Sequence, residues 1–222
     1  MRKIRVFFPL EGNEKRITIS EREKNHLTVL RVGEGDSVSI ISGSGFTAEG
    51  LYQGKKSIAI ESIEKSKLKP QVDIYIQMLK KKAHRTVIRN ITSFPVRSIT
   101  LFGCENSILN RSWKESDKII LRESIKQSGN PFMPVLKRVV SLDKLKWNKK
   151  FIFGSLELSE STDELRKVTE MIIGPEGGFT KREEEELLKK GGIPVRFSPH
   201  VLRAEISVFS LLSLISFNNM LK

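Results

Sequence analysis

The chain of 222 residues has one cysteine, three histidines, two tryptophans and two tyrosines. A lone thiol, Cys104, excludes an internal disulfide framework, and three histidines beside it leave too few ligands for a metal centre to be expected. No stretch approaches the roughly 18 consecutive apolar residues of a membrane span. The most apolar segment, VFSLLSLISF at 208–217, is interrupted by three serines. The first residues, MRKIRVFFPLEGNEKR, become charged too early for a signal peptide. These absences predict a reduced, cytoplasmic protein with no membrane segment and no metal.

Negative charge is also in short supply. Lys and Arg number 39 against 26 Asp and Glu, a formal net charge of +13. Such an excess attracts polyanions, of which nucleic acid is the commonest, although a lysine-rich surface can also serve solubility alone. The length suffices for one large or two small domains.

Two patterns divide the chain. Residues 1–69 read as β-rich: IRVFF, RITIS, DSVSII, FTAEGLY and SIAIESI are short alternating runs separated by Gly, Asn and Ser turns, with one helix over 21–29. Residues 64–70, EKSKLKP, read as a charged linker ending in proline. From residue 70 to 222, strands (VDIYIQML, RSITLFGC, FMPVLKRVV, FIFGSLEL, TEMII, IPVRFS) alternate with helical segments, which predicts a mostly parallel sheet covered on both faces. The last helix carries Val208, Leu211, Leu212 and Ile215 on one face.

The stretch MIIGPEGGFTKREEEELLKK, at 171–190, poses the chemical question. Met171, Ile172 and Ile173 end a buried strand, and Thr180 with Glu183 has capping-box spacing, so a helix is predicted from Lys181 to the glycines at 191 and 192. The intervening GPEGGF is a strand-to-helix loop, the usual place for a ligand in an α/β sheet. It is not a P-loop, because Lys181 comes too late, and it is not a GxGxxG dinucleotide fingerprint. Glu176 would repel a phosphate but suits a neutral or cationic ligand. A plain tight turn remains the alternative.

IIGPEGGFT followed by VLRAE resembles the ribosomal RNA small-subunit methyltransferase E family. HLTVLRVGEGD at 26–36 looks like that family's HxxxVLR…GD element, and ESIKQSGNPFMPVL like its Gln-Ser segment ahead of a proline, so the resemblance covers nearly the whole chain. It implies an α/β protein with an N-terminal PUA-like small β-barrel (1–69) and a C-terminal SPOUT trefoil-knot domain (70–222). It further implies transfer of a methyl group from S-adenosylmethionine to N3 of a uridine in the 16S rRNA of the small ribosomal subunit, by a homodimer joined through the knot domain.

By the same resemblance, three loops hold S-adenosylmethionine: Leu156, Glu157 and Leu158; Ile173, Gly174, Pro175, Glu176, Gly177 and Gly178; and His200, Val201, Leu202 and Ala204. The glycines allow close approach of the main chain, and Ile173 with Leu202 encloses adenine. Arg203 is the catalytic candidate, a cation for the charge that develops on the uracil oxygens, with a phosphate contact or a pair with Glu205 as its alternatives. RNA contacts are expected at Lys80, Lys81, Lys82 and Arg85, beside His84, and at His26, Arg31 and Gln127, with Arg2, Lys3 and Arg5 extending the track. Trp113 and Phe132 are either stacking platforms or core.

The chain departs from the family at Ser93, Phe94 and Pro95, where Glu-Leu-Gly is usual, and at Gly129 and Asn130, where an arginine follows the Gln-Ser pair. Ile206 replaces a threonine, and Ser198-Pro199 stands where Leu-Gly is common. These departures keep a second reading open: a ribosome-associated RNA-binding protein of the same fold, inactive or retargeted.

Overall fold

The structure, a computed structural model, describes residues 3–104, 112–145, 147, 150–155, 157, 168–175, 177–196 and 198–220, with backbone only for 138–140 and 218–220. The chain forms two compact units, one of residues 1–69 with 118–133, the other of 70–117 with 134–222.

In the first unit the alternating runs become β1 (Arg5–Phe7), β2 (Arg16–Thr18), β3 (Ser37–Ile41), β4 (Phe46–Tyr52) and β5 (Ser57–Lys65). They make one curled sheet in the order β1-β3-β4-β5-β2. β1 runs parallel to β3, while the other neighbours are antiparallel. A bulge between Glu49 and Gly50 bends β4, and a side chain at Gly50 would collide with the Ala59 carbonyl oxygen, so the close strand approach requires glycine there. α1 (Glu21–Val29) starts at Ser20, whose Oγ accepts from the Glu23 N–H at 3.3 Å. Leu27 of α1 packs into the core with Val6, Ile17, Ile19, Val38, Ile40 and Ile58. β5 extends to Lys65, so the first two residues of the presumed linker, Glu64 and Lys65, are strand.

The segment 118–133 joins this unit through specific bonds. α3 (Glu115–Ser128) carries Lys126, buried against Glu23 of α1. Beyond it, Gly45 N–H donates to the Pro131 carbonyl at 2.9 Å, and Met133 N–H to that of Gly43 at 2.9 Å.

The second unit contains β6 (Val72–Gln77), α2 (Lys81–Asn90), β7 (Val96–Gly103), β8 (Val135–Ser141), β9 (Phe151–Gly154), β10 (Glu170–Ile173), α4 (Lys181–Lys189), β11 (Gly192–Val195) and α5 (Ala204–Met220). Its six strands lie in the order β11-β9-β10-β6-β7-β8, every neighbouring pair parallel. Leu187 of α4 packs with Phe102, Phe151, Phe153 and Ile172. α5 lies against β10 and α2, and its Val208, Leu211, Leu212 and Ile215 are fully buried as the helical spacing predicts. The protein is thus a mixed α/β fold of one curled and one parallel sheet.

Candidate functional site

β9 and β10 end side by side at Gly154 and Ile173, and the chain leaves both as loops. The loop after β10 turns sharply: Gly178 N–H donates to the Pro175 carbonyl at 2.9 Å, and Gly178 holds φ at +76°, a conformation that side chains disfavour. Thr180 then starts α4 through a reciprocal cap. Its N–H donates to Glu183 Oε2 at 2.8 Å, while its Oγ1 accepts from the Glu183 N–H at 3.3 Å.

These loops and the start of α5 enclose a cavity of about 320 Å³. Ile173, Gly174, Pro175, Gly177 and Gly178 line it, as do His200, Val201, Leu202 and Ala204, so the second and third predicted loops meet there. Glu157 lies after β9, its N–H donating to Ser155 Oγ at 3.3 Å. Leu156, Leu158 and Glu176 fall outside the described residues. The cavity also has walls from Gly154, Ser155, Phe179, Ser198 and Ser207, which were not among the expected cofactor-binding residues. Gly154 and Ser155 were recognisable from position alone, since they close a strand immediately before the first loop.

The wall is largely uncharged. Phe179 closes the space over Gly174, where a side chain would approach its ring within about 3.0 Å. Behind Ser155 lies Glu184 of α4. Burial raises its carboxyl above the usual range, Glu157 adds to that effect, and the hydrogen bond with Ser155 opposes it. Among the described residues neither a lysine nor an arginine lines the cavity, so none of these walls neutralises a polyphosphate.

Arg203 is exposed immediately before α5. Its carbonyl accepts the first helical N–H groups, from Ile206 at 2.9 Å and Ser207 at 3.0 Å. Its guanidinium makes no ion pair among the described residues, with Glu205 or otherwise. Lys80, Lys81, Lys82 and Arg85 are exposed at the start of α2. His84 is not part of that exposed surface: Nε2 lies 3.0 Å from Asp117 Oδ1 and the ring is largely buried. Trp113 is half-buried, its indole N–H donating to the Lys137 carbonyl at 2.7 Å, and Phe132 is half-buried against Gly43 and Gly45.

In the first unit, Arg31 is exposed after α1 with φ at +59°. His26 and Gln127 line a separate cavity. Lys3 and Arg5 are committed to partners, Lys3 to Glu49 and Arg5 to the carbonyls that end α3. No cluster of metal-ligating side chains and no helix long and apolar enough to cross a membrane occurs among the described residues.

Residues 65–216 match a family model described as an RNA methyltransferase domain. A ribosomal RNA small subunit methyltransferase E of Aquifex aeolicus (strain VF5) is 27% identical over 226 residues, covering 95% of this chain and 98% of that one. The protein of that name from Bacillus subtilis (strain 168) is 25% identical over 229 residues, covering 90% and 89%. Among solved structures, a ribosomal RNA small subunit methyltransferase E from Neisseria gonorrhoeae bound to S-adenosyl methionine is similar with a TM-score of 0.82. It is 19% identical, and 99% of this chain and 98% of that chain align, which speaks to the fold.

Proposed function

Because the chain belongs to the RNA methyltransferase family, in its ribosomal RNA small subunit methyltransferase E branch, we propose that it methylates N3 of a uridine in 16S rRNA, using S-adenosylmethionine. The observation that carries this reading is the cavity at the ends of β9 and β10, with glycine-rich and apolar walls and no phosphate-binding cation among the described residues. A relative named for the small ribosomal subunit aligns over nearly its full length, and a solved relative binds S-adenosyl methionine.

The residues present fit that methyl donor. Ile173 and Leu202 offer apolar surfaces for adenine, Gly177 and Gly178 leave the main chain open to close approach, and Ser155, Ser198 and Ser207 supply hydroxyls. When bound, S-adenosylmethionine supplies an electrophilic methyl group on a cationic sulfur. The protein's own task is to align the uracil nitrogen, exclude water and stabilise the charge left when that nitrogen loses its proton. Arg203, without an ion pair among the described residues and next to the cavity-lining Leu202 and Ala204, takes the last role by facing the uracil oxygens. Glu157 and the segments around it complete the donor site.

Lys80, Lys81, Lys82 and Arg85 hold phosphates, with His26, Arg31 and Gln127 contacting RNA from the first unit. That unit acts as a PUA-like barrel. By the family resemblance the second domain is trefoil-knotted, and two copies form a dimer through it that acts on ribosomal subunits in the cytoplasm. The test is transfer of a labelled methyl group to naked 16S rRNA and to intact small subunits, followed by nucleoside analysis. Labelled N3-methyluridine supports the proposal. Donor binding without transfer to either substrate leaves the RNA-binding reading instead.

A further inference from the structure

The first unit contains its own cavity, about 700 Å³, walled by β1, α1 and the C-terminal part of α3. Three cations on its wall, Lys3, Arg5 and Lys126, suggest at first a phosphate site. Each is already engaged. Lys3 Nζ lies 2.8 Å from Glu49 Oε1. Arg5 Nη1 donates to the Lys126 and Gln127 carbonyls at 3.0 and 3.2 Å, capping the helix end where unpaired carbonyls concentrate negative charge. Lys126 Nζ, with its side chain 5% exposed, sits 2.9 and 3.0 Å from the two Glu23 oxygens and 3.0 Å from Glu123. Arg22 closes this set on Glu123 at 3.1 Å, so two cations face two carboxylates. An incoming phosphate would have to displace these partners and would meet Glu123 on the wall itself.

Beside these paired charges the wall offers a ligand uncharged surface and one amide. Gln127 is exposed, and its side chain has no hydrogen-bond partner among the described residues. Its amide carries both a donor and an acceptor. The His26 imidazole, Ile4 and the 45% exposed Leu30 supply flat and apolar surface around it. An unpaired nucleobase has the matching form, with apolar faces and an edge that both donates and accepts. The Glu23–Lys126–Glu123 set and the Arg5 cap hold the three walls together, so the geometry is prepared before binding.

We propose that this cavity takes one unpaired nucleobase of the RNA substrate, read at its edge by Gln127 and flanked by His26 and Leu30. The inference rests on the RNA-binding part of the proposed function and assigns base readout, not phosphate grip, to this unit. The test is fluorescence anisotropy of the full chain with labelled single-stranded U, A, C and G homopolymers across a salt series. Gln127→Ala is expected to weaken the preferred homopolymer about 10-fold and to level the preference among the four. The slope of log affinity against log salt is expected to stay unchanged. Lys81→Glu, a phosphate-grip control, lowers that slope by about 0.7. Leu30→Ser, on the apolar wall, acts in the same direction as Gln127→Ala. A reduced slope for Gln127→Ala, or an unchanged affinity and preference, overturns the proposal. Calorimetry of the same proteins with S-adenosylmethionine reports the other cavity separately: loss of that heat in the unaltered chain would refute the methyltransferase reading while leaving the base-readout result interpretable.

Discussion

At the starts of β6, β7 and β10 the parallel sheet buries Asp73, Ser98 and Glu170, whereas at the ends of β9 and β10 it presents glycine, serine and apolar side chains to a cavity. The first end holds the stronger electrostatics. Burial pushes the Asp73 carboxyl up, but hydrogen bonds from Arg97 and Ser98 outweigh it and hold the group below its ordinary value. Tyr75 is pushed up to about 12, by burial first and then by the Glu170 and Asp73 charges. Perturbed ionisation is a guide to active sites only in proportion to what else could cause it. Here it marks a strand-to-strand brace, and the ligand-sized space lies at the opposite end, where parallel sheets place their binding loops.

That contrast can be broken one end at a time. The largest effect is expected from Gly177→Arg. A Cβ at Gly177 meets nothing within 4 Å, so the loop accepts a side chain, which then fills the cavity and sets a positive charge against the sulfonium. Affinity for S-adenosylmethionine should fall by more than about 100-fold in calorimetry, with the melting temperature and RNA affinity preserved. Arg203→Ala comes next: single-turnover methyl transfer should slow about 100-fold with donor affinity unchanged, and Arg203→Lys should recover part of the loss.

At the brace end, Asp73→Asn should leave donor affinity intact while lowering stability by about 2 kcal/mol in denaturant titration at neutral pH. Because the native carboxyl of Asp73 titrates below its ordinary range, its contribution is fully present above that range and is lost as pH falls through the depressed native value. The variant should therefore show a flatter loss of stability on acidification. Thr180→Ala is the mildest change. Removing one half of the reciprocal cap should cost about 1 kcal/mol and weaken donor binding slightly, because that cap fixes the end of the cavity loop.

The local features were legible in the sequence. Thr180 announces α4 at its observed first residue, the helix expected over 21–29 is α1, and apolar periodicity identifies the buried face of α5. Gly174, Pro175, Gly177, Gly178 and Phe179 of one motif and Val201, Leu202 and Ala204 of the other line one cavity. Long-range partners were not legible. The basic track assigned to Lys3 and Arg5 depends on Glu49 and on carbonyls more than a hundred residues away, and His84 is taken by Asp117 from α3. The alliance of 118–133 with the first unit has the same origin, since no local pattern says that Lys126 will find Glu23. Pairing of opposite charges across the chain is a property of the folded topology, and single-sequence patterns carry only its ingredients.

The most direct test is a crystal structure of the chain grown with S-adenosylmethionine. The account predicts the methyl donor in the cavity between Ile173 and Leu202, with the main chain at Gly177 and Gly178 against it. Clear density for the donor at any other place, with this cavity empty, would contradict it.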